Sequence, residues 1–155
     1  MRWLALAVTL FLSACSVKNY EISKSKIVII KSPKLKFADL AYIRNSENSV
    51  EIELFVAGKS IQKIAINHIV CVHEGCMSKS GFNEEYLNKS YPDDLLQNVV
   101  LGHAIYEGKN REQSDDGFTQ NIVTKNVDIT YKVTSDAVFF KDKRNKIILK
   151  IKDVK

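Results

Sequence analysis

The chain has 155 residues, of which 45% are hydrophobic and 26% charged, with only 2 Pro and 6 Gly. That balance belongs to one ordinary globular domain; it excludes a disordered tail, a collagen-like fibre and a polytopic membrane protein. The formal charge is +5, and the bases gather towards the two ends of the chain.

At the amino end, Arg2 precedes Trp3 to Leu12, an uncharged apolar run. Ten helical residues at about 1.5 Å each cover roughly half of a ~30 Å hydrocarbon core, too little to span it. The run fits the h-region of a secretory signal peptide. Leu12-Ser13-Ala14-Cys15 follows, and this tetrapeptide resembles the lipobox of bacterial lipoproteins. The resemblance implies a diacylglyceryl thioether on Cys15, cleavage before it and acylation of the new amine. Two acyl signals already anchor a protein stably, so three chains such as palmitate are effectively permanent. The alternative is an ordinary signal peptide with an incidental cysteine. Ser16, where an aspartate commonly retains lipoproteins at the inner membrane, favours the outer membrane with the body facing the periplasm. The chain then divides into a signal peptide (1–14), a lipidated tether (15–25) and a single β-rich domain (26–155).

Beyond the tether the dominant signal is period-2 alternation. Val50, Ile52, Leu54 and Val56 alternate with Glu51, Glu53 and Phe55; Val127, Ile129, Tyr131 and Val133 with Asp128, Thr130 and Lys132; Ile147, Leu149 and Ile151 with Ile148, Lys150 and Lys152. Further β-branched runs span 26–30, 35–44, 61–67, 68–72, 118–124 and 137–141. One apolar and one polar side implies an antiparallel sheet with a covered face and a wet face. Turn residues lie between the runs at 45–48, 57–59 and 143–145. The centre departs from this pattern. Residues 82–89 suit a short helix with Phe82 and Tyr86 on one face. In 92–102, Pro92 suits the first helical position, Asp93 and Asp94 the first turn, and Gly102 the C′ position. Leu95, Leu96, Val99 and Val100 form an apolar stripe at helical spacing. Residues 107–117 are polar and expected to be a mobile loop, whose Asp115-Asp116-Gly117 lacks EF-hand ligand spacing.

With Cys15 assigned to lipid, Cys71 and Cys76 remain, an even number in an oxidising compartment. A four-residue hairpin loop between them puts the pair within disulfide range. Three alternatives stay open: free thiols, a redox pair, or a metal site joining Cys71, His73 and Cys76 to His68 or His103. The spacing matches neither a standard zinc motif nor Cys-x-x-Cys. No nucleophile elbow or phosphate-cradling glycine loop is present. His68 suits a strand, His73 a turn and His103 a helix end, so the expectation is a protein that is not an enzyme and carries no cofactor or metal.

The order of elements adds a family resemblance. Phe55 to Ile66 as a glycine-bearing hairpin, Pro92 to Gly102 as a helix ending in Leu101-Gly102, and the last strand from Asn145 to Asp153 resemble the lipoprotein-sorting family LolA/LolB. Val99 or Val100 stands where that family often has tryptophan. The resemblance implies a mainly β (α+β) fold, an antiparallel curved sheet or half-open barrel with a short helical insertion near residues 82–101. Its concave apolar face, covered by the helices, receives acyl chains, with Leu95, Leu96, Val99 and Val100 as the cavity or helix-packing face. The partners expected are the membrane through the anchor and acyl chains or another envelope protein. The alternative is a structural or interaction lipoprotein of immunoglobulin-like or other β fold.

The charge pattern bears on partners as well. Lys18 to Lys36 carries six lysines against Glu21, and Lys141 to Lys155 seven bases against Asp142 and Asp153, so the stretch between them is acidic. A periplasmic tether sets nucleic acid aside. Anionic lipid headgroups, at about 1 kcal/mol per near-surface base, and plainly solvated strand faces are the two readings.

Overall fold

Side chains that alternate between apolar and polar can satisfy both only by pairing into a sheet, and here every long alternating run does so. The computed structural model describes residues 20–154; the expected signal peptide, Cys15 and the first part of the tether lie outside the described residues. Six strands come first: β1 (Ile22–Lys31), β2 (Lys36–Ser46), β3 (Ser49–Val56), β4 (Lys59–Ile66), β5 (Val70–Val72) and β6 (Gly75–Met77). Two short helices follow, α1 (Lys79–Tyr86) and α2 (Leu95–Leu101), then a 3-10 turn at Tyr106–Gly108. Five more strands complete the chain: β7 (Arg111–Ser114), β8 (Gly117–Val123), β9 (Asp128–Thr134), β10 (Ala137–Asp142) and β11 (Ile147–Asp153).

All eleven strands form one antiparallel sheet in the order β6-β5-β4-β3-β2-β1-β11-β10-β9-β8-β7, not closed into a barrel. The fold is therefore mainly β, as the alternation requires. The first strand and the last lie side by side in the middle, with Val28 opposite Ile151 and Ile30 opposite Leu149. The helical segment carries the chain from the β6 edge to the β7 edge. Among the described residues no helix is long and apolar enough to cross a membrane.

Local chemistry sets the turns. Ala57 and Gly58 join β3 to β4 with φ of 49° and 77°, the left-handed pair of a two-residue hairpin turn. Gly117 opens β8 at φ 154°, where an added Cβ would meet the Val133 carbonyl oxygen at 2.0 Å; no larger residue fits. The inner face of the sheet buries Val28, Ile30, Ile43, Ile52, Leu54, Leu149 and Ile151 against the helices. Towards β7 the core becomes aromatic: Tyr131 meets Phe118 and Phe140 edge-on, and Phe140 meets Tyr91 edge-on.

Several boundaries differ from the sequence reading. β1 begins at Ile22, so residues 22–25, expected in the tether, are in the sheet. α1 spans 79–86 rather than 82–89, because Ser78 caps it by accepting the Gly81 N–H at 3.0 Å. Phe82 and Tyr86 do share a face, stacked 4.8 Å apart. α2 begins at Leu95: Pro92 accepts the Leu95 N–H in a preceding turn, and the Asp94 carboxylate takes the Asn98 amide rather than a helix N–H. Residues 107–117, expected as a loop, hold strand β7 and a tight Asp115-Asp116 turn. All four β7 residues are exposed, so no apolar alternation marks the strand. β6 is likewise short and unmarked, and it shrinks the expected four-residue loop between the cysteines to His73-Glu74.

Candidate functional site

The apolar stripe of α2 lies flat on the inner face of the sheet. Leu95, Leu96, Val99 and Val100 are all buried, and the last three form an apolar seam with Val28, Ile30, Ile43, Ile52, Leu149 and Ile151. The space left in the seam is about 10 Å³, at the lower edge of the ~10–15 Å³ that a single water needs. The sequence stripe is thus a packing face, and in this state it fills the concavity.

The carboxyl end of α2 is fixed by three devices. Gly102 adopts φ 70°, so that its N–H reaches the Val99 carbonyl and the His103 N–H reaches the Asn98 carbonyl; this is the Schellman closure expected of glycine at C′. Tyr131 of β9 donates its hydroxyl to the His103 carbonyl at 2.8 Å, and burial pushes that phenol well above its ordinary range. Gln120 of β8, fully buried, accepts the Ile105 N–H at 2.9 Å and donates to the carbonyls of Ile105 and Lys109 at 2.9 and 2.7 Å. A buried amide that satisfies three backbone groups pins the segment leaving α2 to the sheet.

Beside this end of the helix is an open cleft of about 370 Å³. Lys24, His103 and Asp136 stand at its rim, and Ile43, Val100 and Ile151 at its floor. Those three floor residues also line the seam, so the cleft and the seam share one apolar wall.

A second buried polar centre braces the opposite end of β10. Asp142 is fully buried. Its carboxylate accepts the Tyr91 hydroxyl at 2.8 Å, the Asn145 amide at 2.6 Å and the N–H groups of Asp128, Arg144 and Asn145 at 3.0–3.2 Å. Burial alone pushes this carboxyl up, but the donors from Asn145, Tyr91 and the backbone hold it below the usual carboxylate range. Burial, and then the same bond, raise the Tyr91 phenol far above its ordinary value. The centre ties the turn before α2 to the β10–β11 hairpin.

Cys71 and Cys76 stand directly opposite across β5 and β6 as a disulfide, with Cα atoms 4.0 Å apart. Both sulfurs are therefore committed to each other, which removes the thiolates that a metal reading needs. Among the described residues no three His, Cys, Asp or Glu side chains gather into a metal-binding group. His68 and His73 are exposed at the two ends of β5, whereas His103 is at the cleft rim, so the three histidines do not converge.

Gln120, Asp142, Tyr91 and Tyr131 carry no motif. Only Asp142 leaves a local sign: in Asp142-Lys143-Arg144-Asn145 an aspartate opens a hairpin turn, where its side chain characteristically takes backbone N–H groups two and three residues on. No protein-family model, curated protein or solved structure matches the chain.

Proposed function

We propose that the chain is a non-enzymatic lipoprotein, anchored through Cys15 in the outer membrane and facing the periplasm. On this reading its sheet receives the acyl chain of a lipid, or of another acylated protein, beneath α2. The observation that carries the reading is the shared wall of Ile43, Val100 and Ile151, which runs from an open cleft into the apolar seam. The seam holds no room for a ligand while α2 lies down, so binding requires this seven-residue helix to lift as a lid. The seam is purely apolar, and an entering hydrocarbon replaces the contacts that α2 gives up. An open sheet with helices over its inner face is also the architecture that the resemblance to the lipoprotein-sorting family implies.

The filled seam favours a second reading, an interaction lipoprotein that holds another envelope protein and takes no internal ligand. Titration of the full chain with a dansylated fatty acid separates the two. Saturable one-to-one fluorescence enhancement, abolished by Val100→Trp at the junction of cleft and seam, supports acyl binding. Enhancement that does not saturate leaves the interaction reading. The anchor is tested separately: radiolabelled palmitate enters the wild-type chain and not Cys15→Ser, and the variant leaves the envelope fraction. Failure of the wild type to take up palmitate overturns the anchor.

A further inference from the structure

The pairing of β1 with β11 joins two basic segments that are more than a hundred residues apart in the chain. The consequence is on the sheet face turned away from the helices. Across the central strands, one cross-strand row reads Lys36, Lys31, Ile148, Lys141 and Thr130. The next reads Ala38, Ile29, Lys150, Phe139 and Lys132, and a third Leu40, Ile27, Lys152 and Ala137. Neighbours in a row are about 5 Å apart, and alternate residues of one strand roughly 7 Å. Six lysines thus share one face with a set of apolar side chains, of which Ile27 is 43% exposed.

No carboxylate stands within these rows. Asp153 projects from the other side of β11, where it pairs with Lys26. Asp39 also alternates to the opposite side, standing across from the buried Val28. Glu112 and Asp128 share the lysine face at its β7 and β9 margins, and Glu51 and Glu53 at its β3 margin, where Arg44 and Lys63 pair with them. Among the described residues none of the six lysines makes an ion pair; the pairs that form involve Lys26, Lys34, Arg44 and Lys63. A solvated face made only for solubility mixes both signs. Within these rows this one carries a single sign, interleaved with aliphatic and aromatic side chains.

We propose that this lysine-rich outer face of β2, β1, β11, β10 and β9 is a docking surface for an anionic lipid bilayer. Charge complementarity selects the occupant. The ammonium groups meet phosphate headgroups, while Ile27, Ile29, Leu40, Phe139 and Ile148 settle at the headgroup boundary. Docking by this face would turn α2 and the cleft away from the bilayer. The inference goes beyond the acyl-binding reading and stands without it, because the face is built by strand pairing alone.

The test is amine labelling of the full chain in vesicles, read residue by residue by mass spectrometry. Vesicles of phosphatidylcholine are compared with vesicles in which about 30% is phosphatidylglycerol. Acetylation of Lys132, Lys141 and Lys150 is expected to slow by about three-fold or more in the anionic vesicles. Lys59 and Lys89, exposed elsewhere, serve as the reference. Salt at about 0.5 M, where the Debye length falls to a few ångströms, restores the rates. The triple variant Lys132→Glu, Lys141→Glu, Lys150→Glu loses the slowing at Lys31, Lys36 and Lys152, and the wild-type ratio decides the question even if that variant does not fold. Equal rates in the two vesicles overturn the proposal. So does slowing by polyglutamate without slowing by anionic vesicles, which assigns the face to a soluble acidic protein.

Discussion

On β2, β3 and β4 the wet face of the sheet neutralises itself, and on β9, β10 and β11 it does not. Arg44 reaches Glu51 at 3.0 Å and Glu53 at 2.7 Å, Lys63 lies 3.4 Å from Glu51, and the Tyr20 hydroxyl donates to Glu51 at 2.8 Å. Arg44 holds the Glu53 carboxyl below the usual range. Beside Glu51, burial and then the hydrogen bond push the Tyr20 phenol up to about 12. In the other half the charge left over outside is basic and, among the described residues, makes no ion pair, and the buried carboxylate, Asp142, is inside. The first region spends its charges on cross-strand pairing. The second leaves its lysines out of ion pairs among the described residues and braces itself with a buried hydrogen-bonded centre.

The largest effect should come from that buried centre. Asp142→Ala strands five donors and is expected to lower stability by about 3 kcal/mol, as removal of one partner from a buried polar network does. Denaturant unfolding measures it. Asp142→Asn keeps the shape and part of the bonding, so it lowers stability less. The pH dependence follows from the depressed folded value. Ionised Asp142 adds stability above its unfolded value near 4. That contribution drains away as the pH falls through the lower folded value, and Asp142→Asn abolishes this part of the acid sensitivity. An unchanged acid profile in the variant would break the contrast between the halves.

How much of this was legible beforehand depends on burial. Strands β3, β9 and β11 are explicit in the sequence because each buries one face and wets the other, so composition must alternate. β6 and β7 are short edge pieces with nothing to bury, and no alternation records them. The α2 stripe was legible as Leu95, Leu96, Val99 and Val100; the start of the helix was not, because Pro92 and the two aspartates suit a turn as well as a first helical turn. The cysteine pair was readable from even number and spacing. The basic segments were readable as segments, but their union depends on β1 meeting β11, the longest-range pairing in the sheet. Gln120 and Tyr131 act on backbone groups far along the chain, and no local pattern encodes that.

A middle-sized effect sharpens the comparison on the wet face. Arg44→Ala leaves the buried Glu51 with only Lys63 and Tyr20, and is expected to destabilise the fold by about 2 kcal/mol. Lys150→Ala, on the unpaired half, should change stability by no more than about 0.5 kcal/mol. Thermal melts of the two variants under one buffer compare them directly. If Lys150→Ala is as harmful as Arg44→Ala, the lysine face is structural and the proposed division between the halves fails.

The smallest effect separates two tyrosines that share the Asp142 neighbourhood. Tyr91 donates to Asp142, so Tyr91→Phe removes a made bond and should lower stability by about 1–2 kcal/mol. Tyr106 has a buried hydroxyl with no hydrogen-bond partner among the described residues. Burial, then the charges of Asp142 and Asp94, push its phenol up to about 12. Tyr106→Phe deletes an unsatisfied group and should leave stability unchanged or raise it by up to about 1 kcal/mol. The alkaline limb adds a second readout. A phenol raised above its unfolded value near 10 contributes stability that is complete below that value and is lost as the pH climbs through the folded one. Tyr106→Phe therefore removes part of the alkaline destabilisation between about pH 10 and 12. A clear loss of stability at neutral pH would mean that the hydroxyl is satisfied in solution and that this corner of the core is wetter than its packing implies.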